Sequence, residues 1–258
     1  MKQSILSLPR PFVCALVKED SLEKNILRMR EAAFDGAQAL GIHMRFMPTA
    51  EKNDEGLRRL MTCTSRPVMA IHYRDGVDKS LTDEDRADIL LRSAKAGASM
   101  IDVMGDLYDK SDEELTHNPA AVDQQMKLID QIHETGSEVI MSSHVLDHHM
   151  NTDQVMEHMY AKCKRGIDLP KLVNLLSTEE ELIESVQTLS LLKKELGHPF
   201  VYIGSGPFGM KQRLIAPLFG EVLFFAMHPF DNTGEHVAQF PVRELVNLKH
   251  YGYDNIIL

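Results

Sequence analysis

One feature constrains this chain more than any other: short apolar runs alternate with stretches of helical apolar spacing, and the alternation repeats eight times. The predicted strands are Phe12 to Val17, Gly41 to Phe46, Pro67 to Tyr73, Met100 to Met104, Glu138 to Ser143 closed by His144, a sixth run holding Lys171, Phe200 to Ser205, and Val222 to Met227. Between them lie predicted helices. Leu22, Ile26, Met29 and Ala33 give the first its apolar stripe. Thr82 with Asp83, Glu84 and Asp85 starts another as a cap followed by acids. Pro119 opens a third, and Gly136 closes it. Residues 106–118 read as a polar loop. Eight strands, each followed by a helix, predict a single (β/α)8 TIM barrel, one α/β domain over residues 1–258. An open doubly wound sheet is the rival, but no G-x-G-x-x-G follows the first strand.

Composition narrows the class. The 258 residues are 43% hydrophobic, enough for one barrel-sized core. A net charge of −10 argues against a nucleic-acid or anionic-membrane partner. Cys14, Cys63 and Cys163 have no metal-type spacing and are odd in number, as expected of free thiols in a reducing compartment. No apolar run approaches membrane-spanning length, and residues 1–10 do not resemble a signal peptide. The expectation is a cytoplasmic protein without a membrane partner.

The sixth strand carries the chemical signal. In Gly166-Ile167-Asp168-Leu169-Pro170-Lys171-Leu172-Val173-Asn174, a lysine sits inside an apolar strand. A buried ammonium is costly unless it is paired or loses its proton, and a neutral lysine is the nucleophile of Schiff-base chemistry. The bland alternative is a lysine that snorkels or pairs with a core carboxylate. In a barrel, active sites form at the C-terminal strand ends, where alternation would put His43 with Arg45, His72 with Arg74, Asp102 with Met104, and Ser142 with His144. Arg213 follows the seventh strand through a glycine-rich loop. Arginines bind carboxylate or phosphate, Lys171 captures a ketone, and His144 moves protons. His148-His149 could be a fragment of a metal site but lacks a further ligand at suitable spacing, so no metal is expected.

These segments resemble type I 3-dehydroquinate dehydratase, a Schiff-base lyase of the shikimate pathway and aromatic amino acid biosynthesis. The resemblance covers nearly the whole chain. Its strongest parts are Val139-Ile140-Met141-Ser142-Ser143-His144 and Asp168-Leu169-Pro170-Lys171-Leu172-Val173, followed by Gly209 to Arg213 and Gln239-Phe240-Pro241-Val242-Arg243. It implies Lys171 as the Schiff-base lysine, His144 as general acid and base, and Asp78 as the acid that orients His144. Arg45, Arg74, Arg213 and Gln239 would bind substrate, a small anionic cyclic ketone. It also implies a homodimer and no cofactor, because the lysine is the electron sink.

The sequence departs from the family on the substrate side. Strand two, which reads Glu-x-Arg-x-Asp in the family, is His43-Met44-Arg45-Phe46-Met47 here. Strand four ends Asp102-Val103-Met104 where Asp-x-Glu is usual, Ser205 stands for a methionine, and the lid serine falls near Glu235. His43 and Ser205 are therefore expected among the substrate contacts. The leading reading is dehydration of 3-dehydroquinate to 3-dehydroshikimate. Alternatives are a Schiff-base dehydratase or class I aldolase for another carboxylated ketone, or a catalytically weak ligand-binding relative.

Overall fold

The strand rhythm builds one continuous parallel sheet. The computed structural model describes residues 2–227 and 239–253, so Glu235 lies outside the described residues. The strands are β1 (Phe12–Val17), β2 (Ala39–His43), β3 (Val68–Ile71), β4 (Met100–Met104), β5 (Glu138–Val145), β6 (Leu169–Leu175), β7 (Val201–Ser205), β8 (Leu223–Met227) and a short β9 (Phe240–Pro241). Their order in the sheet is β7-β6-β5-β4-β3-β2-β1-β8-β9, so β8 returns to lie beside β1 and the sheet curls into a barrel. At its base, Val222 N donates to Phe200 O, where the chain entering β8 meets the start of β7.

The helices are α1 (Leu22–Phe34), α2 (Asp54–Met61), α3 (Asp83–Lys95), α4 (Pro119–Glu134), α5 (Thr152–Cys163), α6 (Glu179–Glu195), α7 (Gly209–Ile215) and α8 (Val242–Leu248). Their starts follow from local chemistry. Thr82, Asn151 and Thr178 form reciprocal capping boxes with Asp85, Gln154 and Glu181, so donors that the first helical turn cannot satisfy are bonded. Each such cap stabilises its helix by about 1 kcal/mol.

Alternation along the strands sorts the core into layers. Met69, Met100, Ile140, Leu169 and Val201 belong to the inner cluster, while Ala70, Ile101, Val139 and Met141 belong to the cluster between sheet and helices. The expected elements are present with shifted ends. β2 stops at His43 because residues 44–46 turn into a 3-10 helix, and β5 runs two residues past Ser143. The parity expected of the third strand is reversed. Ile71 lies in the inner cluster, His72 turns outward and is fully buried, and Tyr73 comes to the barrel mouth.

Candidate active site

At the C-terminal ends of the strands opens a cavity of about 930 Å³. Lys171 lies at its floor, only 6% exposed. Register explains the placement: Lys171 pairs with Ser142 of β5, and His144 is two residues further along, on the same face of the sheet. The Lys171 backbone carbonyl accepts from Lys162 Nζ of α5, which ties the strand to the helix behind it. Lys171 Nζ lies 3.1 Å from His144 Nε2, 3.2 Å from the Tyr73 hydroxyl and 3.9 Å from Asp102 Oδ2. Burial pushes its pKa below the usual lysine value and Arg213 adds to this, while Asp102 and Glu114 pull the other way.

His144 is held by Glu114, whose Oε2 lies 2.8 Å from His144 Nδ1 and accepts from the His144 backbone N–H at 2.8 Å. With Nδ1–H donated to a carboxylate, Nε2 keeps its lone pair and faces the lysine. Burial and the Lys171 charge lower the His144 pKa, partly offset by Glu114 and Asp102. Burial alone would raise the Glu114 carboxyl, but its bonds to His144 hold it below the usual carboxylate value. Glu114 reaches this position because the 105–118 loop folds back onto Gly105. A Cβ on Gly105 would lie 2.4 Å from Glu114 O and 2.8 Å from Ser143 Oγ, so the approach requires glycine. Glu114 itself takes a left-handed backbone, φ 49°, a conformation that costs a non-glycine residue roughly 1–2 kcal/mol.

Asp78, expected to orient His144, does not reach it. It is buried beneath β3, bonded to Lys52, Thr49 and His72, the last at 2.9 Å. Burial would raise its pKa, but those bonds hold it lowered. Glu114 takes the expected place beside the histidine. Nothing periodic in the 106–118 loop marked it, and parity hid Tyr73 behind His72 and Arg74.

The other expected contacts all line the cavity: His43, Arg45, Arg74, Ser205, Arg213 and Gln239. Their states differ. Arg74 is engaged by Asp83 at 2.7 Å and Asp106 at 2.7 Å, which also raises its pKa. Arg45 pairs with Asp75. Arg213 donates Nε to Gly204 O at 2.9 Å, and burial brings its pKa down to about 10. Of the three arginines, only Arg213 acts on the Lys171 pKa among its leading causes. Ser205 Oγ donates to Asn174 O at 3.2 Å. β9 pairs with the end of β8, Ala226 against Phe240, and so brings Gln239 to the wall. His43 is kept neutral, its pKa lowered well below the usual value by burial and by Arg45. Met104 lines the same wall. Met47, the other replaced position, is fully buried.

Among the described residues, no group of three or more His, Cys, Asp or Glu side chains gathers as a metal site. His149 bonds Leu175 O at 2.9 Å, and His148 bonds Asp147 at 2.8 Å.

A curled parallel barrel with a buried lysine against a carboxylate-held histidine at the strand ends defines a (β/α)8 protein. More particularly, the family model for type I 3-dehydroquinase matches residues 13–255, and the chain belongs to that family. It is 27% identical over 235 residues to the 3-dehydroquinate dehydratase of Methanosarcina mazei, covering 87% of this chain and 89% of that one. It is 26% identical over 143 residues to the enzyme of that name from Alkaliphilus oremlandii, a match spanning 55% of each chain. Little more than half of the Alkaliphilus relative's length is therefore matched. The crystal structure of 3-dehydroquinate dehydratase from Geobacillus kaustophilus superposes with a TM-score of 0.77 at 18% identity, over 98% of each chain.

Proposed function

We propose that the protein is a hydro-lyase that converts 3-dehydroquinate to 3-dehydroshikimate through a Schiff base on Lys171. The observation that carries this reading is the line Glu114–His144–Lys171, 2.8 Å and 3.1 Å between heavy atoms, at the floor of a cavity also lined by Arg213.

Lys171 attacks the ring ketone, and loss of water gives an iminium. The iminium acidifies the adjacent C–H, and His144 Nε2 takes that proton to leave an enamine. The enamine expels the β-hydroxyl, which leaves as water with the proton returned by His144. Hydrolysis of the conjugated imine frees the product and Lys171. Arg213 holds the substrate carboxylate, helped by Arg45 and Gln239. Arg74, bound to two aspartates, acts more as a wall than as a free anion clamp.

One observation favours a second substrate within the same chemistry. The wall presents neutral His43 and apolar Met104, which do not offer the paired acceptance by which a carboxylate holds two ring hydroxyls. A carboxylated cyclic ketone with fewer hydroxyls fits those groups.

Incubation with 3-dehydroquinate should produce the ultraviolet band of a conjugated enone. Borohydride added during turnover should fix the substrate's mass on Lys171, located by peptide mapping. Turnover with no label on Lys171 removes the Schiff base. Neither turnover nor label with 3-dehydroquinate, but both with a less hydroxylated keto acid, moves the substrate and keeps the chemistry.

The proposal includes a cytoplasmic homodimer. Its three cysteines are free, no helix among the described residues is long and apolar enough to cross a membrane, and the dimer follows from the family resemblance.

A further inference from the structure

Two side chains approach the Lys171 amine within hydrogen-bond distance, and the mechanism above uses only His144. The other is Tyr73. Its hydroxyl donates to Asp102 Oδ2 at 2.7 Å and accepts from Lys171 Nζ at 3.2 Å. The same Asp102 oxygen lies 3.9 Å from the amine, so the phenol oxygen touches both members of a buried lysine–carboxylate pair and offers a hydrogen-bonded path from one to the other. The ring is fixed in place. It packs edge-on against His43 at 5.7 Å and His144 at 5.1 Å, and the Tyr73 backbone carbonyl accepts from buried Arg86 at 3.0 Å.

We propose that Tyr73 is a catalytic residue that carries the proton between Lys171 and Asp102. The proposal rests on the Schiff-base reading of Lys171. In the first transfer an N–H bond of the ammonium breaks and an O–H bond forms at Tyr73, while the phenolic O–H breaks and its proton passes to Asp102. The phenol is neutral before and after, and the nitrogen keeps the electron pair that attacks the carbonyl. After the attack one N–H proton of the adduct passes to the alkoxide oxygen, which gives a neutral carbinolamine and restores the nitrogen pair. When the carbinolamine collapses, the proton held on Asp102 returns through Tyr73 to the departing hydroxyl. That hydroxyl leaves as water while the nitrogen pair closes the iminium double bond. His144 then takes no part in the imine step and remains unprotonated for the C–H step.

Burial raises the phenol pKa well above its usual value, in line with a hydroxyl that stays protonated between transfers. The amine is also faced by Glu114 and His144 from the β5 side, Arg213 from α7, Cys14 from β1 and the Phe225 ring from β8 at 5.4 Å. All of these stay in place when the phenol oxygen is removed.

The test compares Tyr73→Phe, which keeps the ring, with Asp102→Asn, which keeps the phenol. The pH dependence of Lys171 acetylation by acetic anhydride, read by peptide mapping, needs no substrate. Losing the phenol removes the donor that shares the Asp102 oxygen with the ammonium, so the full carboxylate charge acts on the amine and the Tyr73→Phe midpoint should rise by about one unit, whereas Asp102→Asn should lower it. Imine formation in a single turnover with 3-dehydroquinate, trapped by borohydride, should slow by roughly 10–100-fold in Tyr73→Phe. A Tyr73→Phe protein with the parent midpoint and the parent imine rate overturns the proposal. If the parent protein traps no 3-dehydroquinate, the substrate reading fails, and the acetylation midpoints still decide the role of Tyr73.

Discussion

At the scale of the residue, the site turns on which nitrogen of His144 holds a proton. Glu114 accepts from both the ring Nδ1 side and the backbone N–H, so the ring is fixed with Nε2 turned toward Lys171. His144→Ala should lose about 10²–10⁴-fold in turnover while borohydride still labels Lys171, since in the proposed mechanism the imine forms on the lysine. Turnover close to the parent's would take His144 out of the mechanism. Glu114→Gln has a subtler signature. Burial and Lys171 lower the His144 pKa and Glu114 opposes them, so the acid limb of kcat/KM should lie below the ordinary histidine value in the parent. Without the Glu114 charge the limb should move further down while the plateau falls. A lower plateau with an unmoved limb would reduce Glu114 to a packing role. Lys171 and His144 were legible in the sequence because both stand on adjacent strands, where alternation and register fix their meeting. Glu114 was not, because a loop held by a left-handed backbone and one glycine approach has no period to read.

At the scale of the element, the barrel was legible from its alternating pattern, and the errors lie where a strand ends. β3 stops at Ile71, so the face assigned to His72 belongs to Tyr73, and the turn that follows carries Asp78 under the sheet. There Asp78 joins the segment before α2 to β3. It accepts from Lys52 and Thr49 on one side and His72 on the other, while Arg86 of α3 donates to its backbone carbonyl at 2.8 Å. Lys52 is 2% exposed, and Asp78 is the carboxylate with which it pairs. Breaking a buried pair from one side typically costs about 3–5 kcal/mol, because the remaining charge is left without compensation. Asp78→Asn should therefore lower Tm by roughly 10 °C for a chain of this size. The folded protein should keep nearly all of its kcat. A large loss of kcat with an unchanged Tm would return Asp78 to the proton-transfer machinery.

At the scale of the whole molecule, stability should depend on pH through groups the fold holds in the form they would not take in water. Burial lowers the pKa of His72 to about 4 and that of His158 to about 2. Both are neutral in the folded protein, whereas the unfolded chain protonates them near the ordinary value of about 6.5. The unfolded state then binds more protons, so stability is full above that value and falls as pH drops through it. Each group contributes at most about 1.4 kcal/mol per pH unit, and His43, kept neutral in the same way, adds a third contribution, so the three give a slope of about 3–4 kcal/mol per unit between pH 6 and 4. Asp78, lowered by its partners, adds to the loss only at still lower pH. Glu221 works in the opposite sense. It is 2% exposed, neither carboxyl oxygen has a hydrogen-bond partner among the described residues, and burial raises its pKa well above the usual value. Its contribution is present below the unfolded carboxyl pKa and is lost as pH rises. The two trends should give maximum stability on the acid side of neutrality rather than at alkaline pH. Urea unfolding at a series of pH values measures this directly. His158→Gln should lower the slope between pH 6 and 4 by about a third, and Glu221→Gln should raise stability more at pH 8 than at pH 5. An unchanged acid slope in His158→Gln would mean that water reaches that histidine in the folded protein and that its burial does not set the acid limit of the barrel.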